Sequence, residues 1–209
     1  MNILIIGASR GVGKALMEIA LEEDTEVTVL ARNPSKITKK HPQLGVLRGD
    51  ILDINSLSSA IRGHDAVCSC IGCPITFKPV ELFSRGAENI VAVLTKESGK
   101  KYVTVTGIGA GDSKGHGGFL YDKIFNPLFL KTIYQDKDRE EAIIKNSNLE
   151  WLIVRPAGLT NGPRTGIYHV INDLSGVTMK RISRRDVADF IVKELQVPNN
   201  FGRTPMLTY

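Results

Sequence analysis

The chain has 209 residues, 42% of them apolar and 23% charged, with a formal net charge of +5. That length suits one domain with a sizeable core and is short for two, and the composition is that of a globular protein rather than a disordered or fibrous one. No apolar run approaches the roughly 20 residues of a bilayer span, and the apolar residues 1–6 are too few for a signal peptide, so no membrane association and a cytoplasmic location are expected.

The elements follow in order. Residues 2–6 form a short apolar run ending in Gly7, read as a buried central strand. Val12, Ala15, Leu16, Ile19 and Ala20 then recur at helical spacing over 11–23. A second strand covers 26–31, Pro34 opens a short helical stretch, and 44–47 is a third strand. A helix over 53–61 precedes a fourth strand at 66–70. Leu82, Ala87, Ile90, Val91 and Leu94 form the buried stripe of an amphipathic segment at 79–96. A fifth strand at 102–106 leads into a loop with six glycines between 107 and 118, the kind of rim where ligands sit. A long helical region at 121–146, interrupted near Pro127, precedes a sixth strand at 151–155. Ser183 and Asp186 read as a capping box for a last helix, and 206–208, after Pro205, reads as an edge strand. Strands alternating with helices predict an α/β fold: a Rossmann-type, doubly wound parallel sheet in a single domain spanning 1–209, with a short C-terminal segment on the substrate side.

The positive charge favours anionic ligands. Lys36, Lys39, Lys40 and His41 fall where a cofactor phosphate would sit, whereas Lys180, Arg181, Arg184 and Arg185 read as a solvated face. Scattered basic residues without a recognised module argue against nucleic-acid binding. Three cysteines, Cys68, Cys70 and Cys73, crowd one locus. An odd number at one place does not make a disulfide framework, and no further ligand stands nearby to complete a zinc site, so no metal is expected. Cys68 and Cys70 read as small buried residues and Cys73 as a candidate reactive thiol.

The sharpest local signal is Gly7-Ala8-Ser9-Arg10-Gly11-Val12-Gly13, placed between the first strand and the first helix. Gly7 permits the turn out of the strand, Gly11 lets a pyrophosphate approach the backbone, and Gly13 lets the helix pack on the sheet. The helix N-terminus then presents free N–H groups to phosphate, with the Ser9 hydroxyl and the Val12 backbone beside it. The second strand selects the cofactor. A carboxylate there would accept from ribose hydroxyls, as in NAD-binding domains. Here the strand ends in Ala31-Arg32, followed by Asn33, Ser35 and Lys36, and Arg10 reaches the same region. Paired guanidinium hydrogen bonds suit a 2′-phosphate, so the expected cofactor is NADPH. Asp50 and Ile51 follow the third strand, where the carboxylate would meet the adenine amino group or simply hold a turn.

With these motifs the chain resembles the atypical short-chain dehydrogenase/reductase superfamily, in the NmrA-like branch that includes flavin reductase and biliverdin-IXβ reductase-like proteins. The resemblance rests on the glycine loop, on Val105 to Ala110, on Asp136, Lys137 and Glu141, on Trp151 to Pro156, and on Ile182 to Ala188. It implies that Ser69, Ile71 and Gly72 line the nicotinamide-ribose side. Thr106 and Gly107 would lie beside the nicotinamide, and Pro156 to Leu159 would close over it. Thr106, Tyr121 and Lys137 become the candidate catalytic residues. The Tyr-x-x-x-Lys pair of ordinary short-chain dehydrogenases is missing: Phe125 stands four places after Tyr121 and Asp138 four after Tyr134. Lys137 follows Tyr134 by three, on one helical face but out of the usual register.

Hydride transfer to a flat ring needs no tyrosine acid, only two rings held face to face. Phe119, Tyr121 and His116 would form an apolar wall or serve as ordinary packing. The expected function is NADPH-dependent reduction of a small planar organic acceptor such as a flavin, bilin or quinone. The alternative is a non-catalytic NADP(H)-sensing regulator of the NmrA type. A sugar-modifying enzyme of the extended branch fits less well, because little chain remains after Pro156 for a substrate domain.

Overall fold

The computed structural model describes residues 1–97, 99–116, 130–175 and 180–209. Strands β1 (Asn2–Ile6), β2 (Glu26–Ala31), β3 (Leu44–Arg48), β4 (Ala66–Ser69), β5 (Lys101–Val105) and β6 (Glu150–Pro156) lie in one sheet. With β8 (His169–Ile171) and β10 (Met206–Thr208), the order is β3-β2-β1-β4-β5-β6-β10-β8. All neighbours are parallel except β10 and β8. This is the doubly wound, single-domain α/β architecture expected.

The apolar runs of β1, β4 and β6 are continuous because both faces of the sheet are covered. Ile3 and Ile5 turn to one side, with Val27, Val29, Val103 and Val154, and meet α1 (Gly11–Glu22) and α5 (Arg184–Gln196). Leu4 and Ile6 turn to the other, with Leu30, Val67, Tyr102 and Ile153, against α2 (Ile54–Ile61), α3 (Leu82–Leu94) and Ile144 of α4 (Lys131–Lys145).

The expected edge strand at 206–208 is not an edge. β10 pairs with β6 on one side and antiparallel with β8 on the other. Pro205 does not interrupt the ladder, because its carbonyl accepts from the Arg155 N–H at 2.9 Å. β8 escaped the sequence reading, as did β7 (Gly158–Thr160) and β9 (Arg181–Ser183), which pair in parallel with each other. Three-residue strands are too short to show a period of two. The long helix is described from Lys131 onward, and the expectations for 121–129, including Tyr121 and Phe125, lie outside the described residues, as does Phe119.

Helix α4 buries an unusual face: Asp136, Lys137, Glu140 and Glu141 are inside with Ile133 and Ile144. Asp136 supplies a cap that α3 lacks. Glu81 makes no side-chain cap bond, and the Asp136 carboxylate instead accepts from the Phe83 N–H at 2.8 Å and the Ser84 hydroxyl at 2.5 Å. One helix thereby answers the orphan donors of another.

The α5 cap is half a capping box. Ser183 Oγ accepts from the Asp186 N–H at 2.9 Å, but the Ser183 N–H donates to the Tyr209 hydroxyl at 3.1 Å. The Asp186 carboxylate is spent on the Thr165 and Gly166 N–H groups, both at 2.8 Å, and on the Thr165 and Tyr209 hydroxyls. Burial alone would raise its pKa, yet these donors hold it below the ordinary carboxylate value. A depressed folded-state pKa contributes stability that is present above about pH 4 and lost as the pH falls through the folded value. Asp186→Asn is therefore expected to cost more stability at pH 7 than at pH 3 in urea unfolding. An equal or wider gap at pH 3 would sink this account.

No described helix is long and apolar enough to cross a membrane.

Candidate functional site

A cavity of about 880 Å³ opens at the carboxyl ends of β1, β2, β4 and β5, where Ile6, Ala31, Cys70 and Thr106 reach its wall. Open parallel sheets bind ligands at this edge, on either side of the strand where the winding reverses. Gly7 sits at φ +93°, and a Cβ there would lie 2.7 Å from the Cys70 carbonyl oxygen. A Cβ on Gly13 would lie 2.4 Å from the Gly7 carbonyl oxygen, so only glycine lets α1 pack this close. Gly11, at φ +67°, has nothing within 4 Å of its Cβ position and lies on the cavity wall. The loop leaves a cradle open to the cavity.

Arg10, the residue before α1, is extended and makes no side-chain cap bond, and the first turn of the helix carries no acidic residue. The first N–H groups are thus available to an anion, in the positive field of the helix end. These are the requirements of a diphosphate, and the residues present fit one.

One end of the cavity is built by Arg32, Asn33, Lys36, Gly49, Asp50 and Ile51. Ser35 is turned away: its hydroxyl donates to Asn33 Oδ1 at 2.7 Å, inside the turn that Pro34 opens. Asp50 Oδ1 accepts from the Leu52 N–H at 3.0 Å, so the carboxylate holds the turn while facing the cavity.

The opposite end is apolar. Ile71, Gly72, Cys73 and Ile75 after β4 face Leu82 and Phe83 of α3, with Leu130, Ile133 and Tyr134 beyond. Lys137 enters this wall with its Nζ donating to the Val105 carbonyl at 3.2 Å, 3.7 Å from Glu140 Oε2 and 4.1 Å from the Phe83 ring centre. Burial raises the Glu140 pKa despite the opposing Lys137 charge.

Thr106 is on the wall, and its hydroxyl donates to Glu141 Oε1 at 2.8 Å. Glu141 is gripped in turn by Arg155, whose Nε lies 3.0 Å from the same oxygen. Thr106 is thereby locked in one rotamer, and its proton is already used.

Of the residues expected at the site, Gly7, Ser9, Arg10, Gly11, Val12, Arg32, Asp50, Ile51, Ile71, Gly72, Thr106 and Lys137 line one cavity. Five lie off its wall. Gly13 packs against Gly7, Ser35 bonds Asn33, and Ser69 is buried. Gly107 lies against the Tyr134 hydroxyl, 2.9 Å from its Cβ position. Pro156 is in register with Leu207 inside the sheet, and Leu159 reaches the cavity instead. The cysteines resolve by burial, which pushes the Cys68 thiol well up, Cys70 up to about 12 and Cys73 up as well. Raised pKa values suppress the thiolate, so Cys73 does not have the setting of a reactive nucleophile.

The sequence reading missed Phe83, Ile133, Tyr134 and Arg184. The first two look like ordinary members of an apolar stripe. Arg184 was placed on a solvated face, and it lines the cavity while its neighbour Arg185 pairs with Glu18 and Glu22 of α1.

Residues 7–198 match the model of a family described as NAD(P)H-binding. The chain belongs to this family. A yeast relative, UPF0659 protein YMR090W of Saccharomyces cerevisiae, is 28% identical across 95% of this chain and 88% of its own. Among solved structures, ChuY, an anaerobillin reductase from Escherichia coli O157:H7, superposes with a TM-score of 0.79 at 23% identity, covering 100% of this chain and 97% of ChuY. A short-chain dehydrogenase/reductase from Veillonella parvula in complex with NADP gives 0.80 at 19% identity, covering 100% of this chain and 94% of that one. At these identities the two structures establish a shared fold. The chain is thus a member of the NAD(P)H-binding family that shares the fold of these two structures.

Proposed function

We propose that this protein is an NADPH-dependent oxidoreductase that reduces a small planar acceptor such as a flavin, bilin or quinone. The observation that carries the reading is the make-up of this cavity. Among the described residues its wall holds five cations (Arg10, Arg32, Lys36, Lys137 and Arg184) and one carboxylate, Asp50, and its far end is apolar. A polyanionic dinucleotide with a flat ring at one end matches that gradient.

The bound cofactor would supply a hydride equivalent, and a proton from solvent would complete the two-electron reduction of the acceptor. Arg32 and Lys36 would hold the 2′-phosphate, and the loop from Gly7 to Gly13 the diphosphate. Ile71, Ile75, Phe83 and Ile133 would exclude water and stack the acceptor. Lys137, fixed by the Val105 carbonyl, would place positive charge beside the ring that gains electrons. ChuY's description as a reductase of a bilin-type substrate is in keeping with this reading.

The test follows NADPH absorbance in the presence of flavins, bilins, quinones and small aldehydes. Oxidation with a planar acceptor and none with aldehydes is expected. Cofactor binding without reduction of any acceptor would favour the NADP(H)-sensing regulator. Tyr134 lies on the wall three residues before Lys137, so it is the tyrosine to test. A positioned general acid is worth about 10²–10⁴-fold, and Tyr134→Phe is expected to leave the rate within about tenfold. A hundredfold loss with NADPH binding intact would make Tyr134 the proton donor.

A further inference from the structure

The described arginines differ in whether the fold supplies a counter-charge. Arg139, Arg155, Arg164 and Arg185 are each ion-paired to carboxylates. The three on the cavity wall, Arg10, Arg32 and Arg184, have no ion pair among the described residues. Arg48, Arg62, Arg85, Arg181 and Arg203 also lack an ion pair among the described residues, but they are exposed and off the cavity wall, which leaves Arg184 as the half-buried arginine without a counter-charge among the described residues. Arg10 and Arg32 have roles in the reading above, and Arg184 does not.

Arg184 is the first residue of α5 and half-buried. Its Nη1 donates to Asn161 Oδ1 at 2.8 Å. A neutral amide orients the guanidinium without discharging it, and leaves the other edge of its donor fork open. The segment that carries it bears on which anion it meets. Arg32 follows β2, on one side of the glycine loop that follows β1. Arg184 follows β9, which pairs with β7 immediately beyond the end of β6, on the other side of that loop. At about 4.8 Å per strand, β2 and β6 are roughly 19 Å apart. Arg184 thus belongs to the segment that leaves the sheet beyond β6, and Arg32 to the turn that follows β2 on the other side of the glycine loop.

We propose that Arg184 is a phosphate ligand that grips the cofactor's diphosphate from the C-terminal segment, completing a site whose other half is the glycine loop. The proposal rests on reading the cavity as a dinucleotide site. It gives the segment after β6 a binding role: Asn161 and Arg184 tie the β7–β9 pair to the bound cofactor. It also separates two jobs along the cavity, with Arg32 reading the 2′-phosphate and Arg184 gripping what NADPH and NADH share.

The experiment is calorimetric titration of the wild type, Arg184→Ala, Arg184→Lys and Arg32→Ala with NADPH, NADH and adenosine 2′-monophosphate, with a thermal melt of each protein. Arg184→Ala is expected to weaken NADPH and NADH by the same factor of ten or more while leaving the 2′-monophosphate unchanged. Arg184→Lys, which keeps the charge but loses the fork, should fall between. Arg32→Ala should show the converse pattern, losing affinity for NADPH and the 2′-monophosphate but not for NADH. Wild-type affinity for both dinucleotides in Arg184→Ala would overturn the proposal, as would an equal loss for the 2′-monophosphate. A wild type that binds neither dinucleotide would overturn the reading of the cavity itself, a result distinct from failure at Arg184 alone.

Discussion

Arg155→Ala is expected to cost about 3–5 kcal/mol of stability, the largest effect of any single substitution considered for this protein. The Arg155 guanidinium is fully buried at the end of β6 and binds Glu141 through Nε and Nη2, with Nη1 on Asp112. Removing it leaves the Glu141 carboxylate buried, with Lys145 at 3.4 Å as its one remaining cationic partner among the described residues, and a charge stranded in that way is what makes broken buried pairs so costly. Replacing both members by apolar residues of similar volume is often close to neutral. The double variant Arg155→Met with Glu141→Leu should therefore recover much of the loss in urea unfolding. A single-variant loss below about 1 kcal/mol, or a double variant no better than the single, would show that the pair does not carry this weight. Because Glu141 also holds the Thr106 hydroxyl, Arg155→Ala should weaken NADPH binding as well, through loss of order at the cavity wall.

The second large effect concerns cofactor choice. NADPH is expected to bind at least tenfold more tightly than NADH, about 1.4 kcal/mol, and Arg32→Ala to abolish most of that preference. Arg32 is exposed at the end of β2, without an ion pair among the described residues, on the same wall as Lys36. Titration of both cofactors into the wild type and the variant measures the difference directly. Equal affinities in the wild type, or an unchanged preference in Arg32→Ala, would remove the 2′-phosphate from this end of the cavity. Raising the salt concentration should reduce the preference, since an exposed phosphate contact is screened.

Much of this protein was legible because its signals are local. β1, α1 and β2 carry their own periodicity, and Gly7, Gly11 and Gly13 announce a loop in which each glycine has a steric reason. The step from Ala31 to Arg32, where a carboxylate would select NAD, is likewise readable by position alone. Other parts were not. β10 reads as an edge, because nothing in Met206-Leu207-Thr208 reveals that the three-residue β8 lies outside it. Arg184 and Arg185 are adjacent and chemically identical. One lines the cavity, and the other pairs with α1.

The sequence by itself thus determined the doubly wound fold, the position of the glycine loop and the sign of the charge around it, all of which follow from short-range spacing and backbone sterics. Only the tertiary structure decided that Thr106 donates to Glu141 and that Asp136 caps α3, 53 residues away in sequence from Phe83. It also decided which arginines reach the cavity wall. These are contacts between distant segments, and they depend on how the helices dock on the sheet, a geometry to which no local pattern of residues is sensitive.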